Sequence, residues 1–174
     1  MCTANICRSP TAEYLARNRF GERSAVFRSV GFLRSDDACP STLVDVMARR
    51  GVDLRSHRSY RVDRASIDAA ELLLTMEGEH VQRLTLLDRG AFTRIIPLTE
   101  AAAALPRLPP GSGIDGLMEV VNRERDPSTY LSDRWDVADP YGQKRRDYEQ
   151  AVDQITDLVA SLGAALGWGD PDPR

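Results

Sequence analysis

Residues 69–76 read AAELLLTM, and the unbroken apolar run Leu72 to Leu74 constrains the fold more than any other stretch. A strand with one wet face alternates apolar and polar side chains, whereas a run without alternation suits a strand covered on both faces. Such strands belong to parallel sheets with a helix layer on each side. Flanking segments supply both the partners and the covers. SAVFRSVGF (24–32) and FTRIIPL (92–98) carry the β-branched and aromatic content of strands. TAEYLARNRF (11–20) reads as a helix, with Ser9 as cap, Pro10 in the first turn and Gly21 as stop. STLVDVMARRG (41–51) and GEHVQRLTLLDRG (78–90) read as two more. In RRDYEQAVDQITDLVASLG (145–163), Tyr148, Val152, Ile155, Leu158, Val159 and Leu162 form one apolar stripe at helical spacing, as a core-facing helix requires. Strand alternating with helix predicts an α/β fold: a small parallel sheet in a three-layer α/β/α arrangement.

The 174 residues suit one domain, expected over 1–163, with an irregular insert at about 101–130 and a disordered tail at 164–174. Inside the insert, GSGIDG (111–116) matches a dinucleotide-loop pattern, but the prolines of LPRLPP stand where that loop needs a buried strand. No apolar run approaches the roughly 20 residues of a membrane span. No signal-like stretch opens the chain, so a cytoplasmic setting is expected. Cys2, Cys7 and Cys39 are odd in number and lack zinc-ligand spacing, which argues against a disulfide framework and against a metal site. No cofactor is indicated. The net charge of −3 argues against a general nucleic-acid binder.

CTANICR (2–8), followed by Ser9-Pro10, carries the chemistry. A loop wrapped round a centre points successive backbone N–H groups inward and makes an anion nest, here formed by Thr3, Ala4, Asn5, Ile6, Cys7, Arg8 and Ser9. The helix beginning near Ser9 adds its positive end, and Arg8 offers a planar fork for two phosphate oxygens. A thiolate at Cys2 is favoured by those donors, so one loop both binds a phosphate and aims a nucleophile at phosphorus. From the spacing alone, two buried cysteines and a solvated arginine fit as well. The chemistry also needs a carboxylic acid, first to protonate the leaving oxygen and then to activate water. WDVADPYG (135–142) offers Asp139 before Pro140, with Asp133 and Asp136 as competitors.

Taken in order, CTANICRSPTAEYLAR, RSVGF, RRGVDLRSHRS, AELLLTMEGEH and DVADPYG, followed by an amphipathic helix, resemble the low-molecular-weight protein tyrosine phosphatase family. The resemblance implies a sheet of about four strands in the order 2-1-3-4. It implies Cys2 as nucleophile, Arg8 as phosphate clamp and Asp139 as general acid, then base. Ser9 is implied to stabilise the thiolate, and Asn5, Ser29 and His57 to join it in a network supporting the loop. Cys7 corresponds to a second loop cysteine that can pair reversibly with the nucleophile in relatives. Ile6 and Tyr141, the latter as a pocket wall, favour an aryl phosphate. The implied partner is a tyrosine-phosphorylated protein, met without nucleic acid or membrane by a monomer or weak dimer.

Three departures stand out. Ala4 replaces a loop glycine, which is acceptable only at negative φ. FLRSDDACP lacks an aromatic that often walls the pocket. Finally, Met1 alone precedes Cys2, where the family has an apolar strand inside the sheet. A start assigned too far downstream is the expected explanation. A chain beginning here is expected to hold its loop by the arginine end only, leaving Cys2 frayed. That departure gives the alternative of a non-catalytic phosphate-binding module. Arsenate reduction, which needs a further cysteine pair, fits less well because Cys39 stands alone.

Overall fold

The structure is a computed structural model and describes residues 1–21 and 25–169. Two short strands, β1 (Leu73–Thr75) and β2 (Ile95–Pro97), run parallel, with Leu73 opposite Ile95, Leu74 opposite Ile96 and Thr75 opposite Pro97. Side chains alternate along a strand, so each register pair faces one layer. Leu73 and Ile95 pack with Ile67 of α3 (Arg64–Asp68) and with Val81 and Leu84 of α4 (Gly78–Leu87). Leu74 and Ile96 face the opposite way. They meet Ala16 of α1 (Arg8–Phe20) together with α5 (Leu98–Ala104), α6 (Gly113–Glu124) and α7 (Arg145–Ala165). A third cluster joins α2 (Ser41–Ala48) to the active-loop end of α1, through Leu43, Val46 and Met47 against Cys7, Tyr148 and Val152. The α/β/α layering thus follows from Leu73-Leu74 being apolar on both sides.

Single residues extend the parallel ladder. The Met1 carbonyl accepts from Met76 N at 3.0 Å, and the Met1 amino group donates to Leu74 O at 2.6 Å. Cys2 bridges in parallel to Gly31, and Gly31 to Arg61. The lateral order is therefore Arg61, Gly31, Cys2, β1, β2, which contains the 2-1-3-4 order, with a single bridge at Gly31 where a full strand was expected and Cys2 in the place of the family's first strand. Cys2 does not fray: it is buried, and its N–H donates to Val30 O at 3.4 Å.

Several boundaries differ from expectation. Of the expected strand 24–32, only Gly31 joins the ladder among the described residues, bridging Cys2 on one side and Arg61 on the other. Residue 24 lies outside the described residues. The helix expected to 90 ends at Leu87, and 89–94 form a 3-10 turn before β2. The insert expected to be irregular holds α5 and α6, and α6 buries Leu117, Met118 and Val121 in the main core. The tail expected to be disordered from 164 continues α7 to Ala165. Beyond it Trp168 packs edge-on against Phe27 and Phe20, with ring centroids 5.1 and 5.9 Å apart. Residues 170–174 of that tail lie outside the described residues. Among the described residues no helix is long and apolar enough to cross a membrane.

Candidate active site

Helix α1 begins at Arg8 and has Cys7 as its N-cap, with no side-chain cap. Ser9, expected to cap it, faces the other way, and its Oγ lies 3.0 Å from Cys2 Sγ. Asn5 Nδ2 donates to Ser9 Oγ at 3.0 Å and to Ser29 Oγ at 2.8 Å, using both amide hydrogens. Ser9 keeps its own proton for a Cys2 thiolate, which can only accept, and Ser29 gives its proton to Glu13 Oε2 at 2.6 Å. Asn5 itself sits at φ 57°, a left-handed conformation that asparagine tolerates better than most residues. Its carbonyl accepts from His57 Nε2 at 2.8 Å, and its Oδ1 accepts from Tyr60 N at 2.8 Å. The four-residue network of Asn5, Ser9, Ser29 and His57 is therefore assembled around one strained position. Ala4 is not among the positive-φ residues, so its methyl group is accommodated without that strain.

Arg8 is 2% exposed, and its guanidinium is held on one side. NH1 donates to Glu77 Oε1 and, at 2.9 Å, to Val137 O, while NH2 donates to Asp139 Oδ2 at 2.9 Å. Its Nε is buried with no protein partner. The Nε–NH2 edge is thus the one that can take two oxygens of an oxyanion, with NH1 keeping the plane fixed. Among the described residues, the backbone amides of Thr3, Ala4, Asn5, Ile6 and Cys7 donate to no protein acceptor. Five N–H groups without a protein acceptor thus lie between Cys2 and the start of α1, beside an arginine edge whose Nε is unpartnered and whose NH2 meets Asp139.

Of the three competing carboxylates, Asp139 alone reaches Arg8. Asp136 accepts from Gly78 N at 2.9 Å and so pins the start of α4, and Asp133 opens an exposed 3-10 turn. Asp139 Oδ1 also accepts from Tyr141 N at 3.2 Å, and the Tyr141 side chain, expected as a pocket wall, is 60% exposed. Cys7 and Cys39 are buried in the cluster under α2, where desolvation pushes the Cys7 thiol up and lifts Cys39 to about 12.

Sequence reasoning missed four residues that shape this site. Glu13 anchors Ser29, and Glu77 holds Arg8. Gly31 lets the loop approach: a Cβ there would sit 2.8 Å from Asn5 N. His80 bonds Thr3 at 3.0 Å. Glu77 carried a readable signal, since it follows β1 at the carboxyl end of a parallel sheet, where ligands of such folds bind.

Comparison with known proteins bears on this geometry. The family profile for low molecular weight phosphotyrosine protein phosphatase matches residues 1–102. A protein from Ralstonia nicotianae, described as "probable low molecular weight protein-tyrosine-phosphatase EpsP", is 26% identical over 155 residues, covering 89% of this chain and 85% of its own. The low molecular weight protein-tyrosine-phosphatase Wzb of Escherichia coli is 36% identical over 84 residues, 48% of this chain and 56% of its own. Among solved structures, the YwlE arginine phosphatase from Geobacillus stearothermophilus superposes with a TM-score of 0.74 at 23% identity, covering 95% of this chain and 89% of that one. The tyrosine phosphatase Wzb from Escherichia coli in complex with sulphate superposes with a TM-score of 0.71 at 20% identity, over 95% and 94% of the two chains. A profile match that begins at the cysteine loop and runs through both strands, on a structure with the same fold, places the chain in the low molecular weight phosphotyrosine protein phosphatase family.

Proposed function

We propose that this chain hydrolyses phosphotyrosine in proteins through a phosphocysteine intermediate. One observation carries the reading: Ser9 Oγ lies 3.0 Å from Cys2 Sγ, placed to give its proton to a thiolate there, on a loop whose amides at residues 3–7 have no protein acceptor and which ends at the buried Arg8. In the first step the Cys2 thiolate attacks phosphorus. The bond from phosphorus to the tyrosyl oxygen breaks, and Asp139, protonated, gives its proton to the leaving phenolate. The phosphoryl oxygens move onto the Nε–NH2 edge of Arg8, and the Asp139 carboxyl turns from Arg8 towards the leaving oxygen. In the second step Asp139, now a carboxylate, takes a proton from water. The water oxygen bonds phosphorus and the sulfur departs as a thiolate, stabilised by Ser9. Inorganic phosphate leaves and the enzyme is restored.

Ile6 on the loop and the exposed ring of Tyr141 support an aryl leaving group, which a phenol can stack against. The reading implies a reducing, cytoplasmic setting, because the nucleophile works only as a thiolate. Steady-state turnover of p-nitrophenyl phosphate tests it, with phosphotyrosine and phosphoarginine peptides run side by side. Cys2→Ser should abolish turnover and still bind inorganic phosphate. Asp139→Asn should lower kcat by about 100-fold or more on a phosphotyrosine peptide, as loss of a general acid does. Undiminished turnover in Cys2→Ser would dismiss the reading, and a preference for the phosphoarginine peptide would replace its substrate.

A further inference from the structure

The structure assigns to His80 a positioning role: it closes a side-chain chain, Arg8–Glu77–His80–Thr3, that ties the arginine end of the phosphate loop to its nucleophile end. The inference rests on the function proposed above. Glu77 is the first link. One of its oxygens accepts from Arg8 NH1, and the other lies 3.3 Å from His80 Nε2. The same Nε2 is 3.0 Å from Thr3 Oγ1, on the residue directly after the nucleophile. Backbone contacts fix both ends of this span. The Thr3 carbonyl accepts from Phe32 N at 2.7 Å and from Leu33 N at 3.2 Å, while Gly78, between Glu77 and His80, donates to Asp136.

The imidazole is fully buried at the start of α4, with the Phe32 ring 5.4 Å away and the Arg83 guanidinium 4.0 Å from that ring's centre. Burial, with the Met1 amino group, Arg8 and Arg83 adding to it, lowers its proton affinity to about 3, so the ring is neutral at working pH. A neutral ring has one N–H. The Glu77 carboxylate can only accept, so that hydrogen belongs on Nε2, which leaves Nδ1 as a bare acceptor. Nδ1 is indeed buried without a partner, which costs less for a lone pair than for an orphaned N–H. His80 therefore directs its single donor at Thr3 Oγ1, keeps that N–H beside the Glu77 carboxylate at 3.3 Å, and carries no charge that would compete with Arg8 for the carboxylate. Without it, Glu77 is free to rotate and the Arg8 plane loses the orientation on which two-point capture of an oxyanion depends.

His80→Phe keeps an aromatic ring beside Phe32 but removes the donor, whereas His80→Gln restores a donor near the Nε2 position. Binding of inorganic phosphate by calorimetry and turnover of p-nitrophenyl phosphate are measured on each. For His80→Phe the phosphate Kd is expected to rise about tenfold and KM by a similar factor, with kcat falling less, as loosened positioning implies. His80→Gln should recover to within about threefold of the unmodified protein on both. A folded His80→Phe with phosphate Kd and KM both unchanged overturns the assignment, as does a His80→Gln no better than a folded His80→Phe. If His80→Phe does not fold, Thr3→Val and Thr3→Ser decide at the other end of the chain. Valine should weaken phosphate binding about threefold and serine should not, and equal binding by the two would overturn it. Because calorimetry needs no turnover, an inactive but phosphate-binding wild-type protein would defeat the hydrolase reading while still answering this one.

Discussion

Ser9 shows how a single hydroxyl acquires a direction. Alone it is equally able to accept or to donate, and the sequence offers it as a helix cap. Asn5 Nδ2 donates to it at 3.0 Å, and a Cys2 thiolate 3.0 Å away can only accept, so the serine proton goes to the sulfur. A hydrogen bond to a charged group is worth about 1.5–3 kcal/mol, so Ser9→Ala should slow the phosphorylation step by roughly 10- to 100-fold. Rapid-quench turnover of p-nitrophenyl phosphate, with the melting temperature measured alongside, checks this. A loss smaller than twofold in a stably folded variant would mean that the hydroxyl does not serve the sulfur. The same reasoning separates Asp139 from Asp133 and Asp136. All three are short carboxylates within seven residues, and composition cannot rank them. Reach to Arg8 does.

Among the secondary-structure elements, the site is made by the approach of two backbones rather than by side chains. Gly31 stands between Cys2 and Arg61 in the ladder, and a methyl group there would meet Asn5 N at 2.8 Å and Ala4 C at 2.9 Å. Both are main-chain atoms of the phosphate loop and have no rotamer to yield. Gly31→Ala should therefore cost about 1–3 kcal/mol as forced overpacking. It should also raise KM for p-nitrophenyl phosphate, since Asn5 N is one of the amides proposed to hold the phosphate. Thermal melts and steady-state kinetics read the two effects, and an unchanged KM would show that the loop can shift without harm. RSVGF pointed to a strand at this place, but the reason for its glycine lies in a contact across 26 residues that no local pattern carries. The layers were readable because Leu72, Leu73 and Leu74 leave no wet face. Helix α6 was not, because Gly111, Gly113 and Gly116, with the prolines before them, hide Leu117, Met118 and Val121, whose helical spacing emerges only once the turn is set. The cysteine loop was legible because its chemistry is contiguous. His80 was not, being some seventy residues away and brought to the loop by the sheet, and for Glu77 only its place after β1 was a signal.

For the whole molecule, His80 and Glu100 among the buried titratable groups set opposing pH dependences of stability, while the Met1 amino group, lowered to about 6 chiefly by burial, adds to the histidine's direction as pH falls from 8 to 6. His80 has its folded proton affinity lowered from 6.5 to about 3, chiefly by burial. Its neutral form is the one the fold accepts, so its contribution is fully present above pH 6.5 and is lost as pH falls towards 3. Glu100 has its proton affinity raised, first by burial, with the Tyr130 hydroxyl and nearby arginines working the other way. Its stabilisation is full below 4.5 and fades as pH rises through its raised value, and partial exposure reduces its weight. In the acid limb the histidine therefore dominates. Urea unfolding between pH 7.5 and 4.5 should show stability falling with pH in the wild-type protein. It should fall less steeply in His80→Gln, whose amide does not titrate, by a few kcal/mol at most across that range. The slope decides, not the level, because the substitution also changes packing. Parallel slopes in the two proteins would mean that the imidazole is protonated without unfolding the site around it. Then the neutral bridge between Glu77 and Thr3 would not be what holds the start of α4 against the loop.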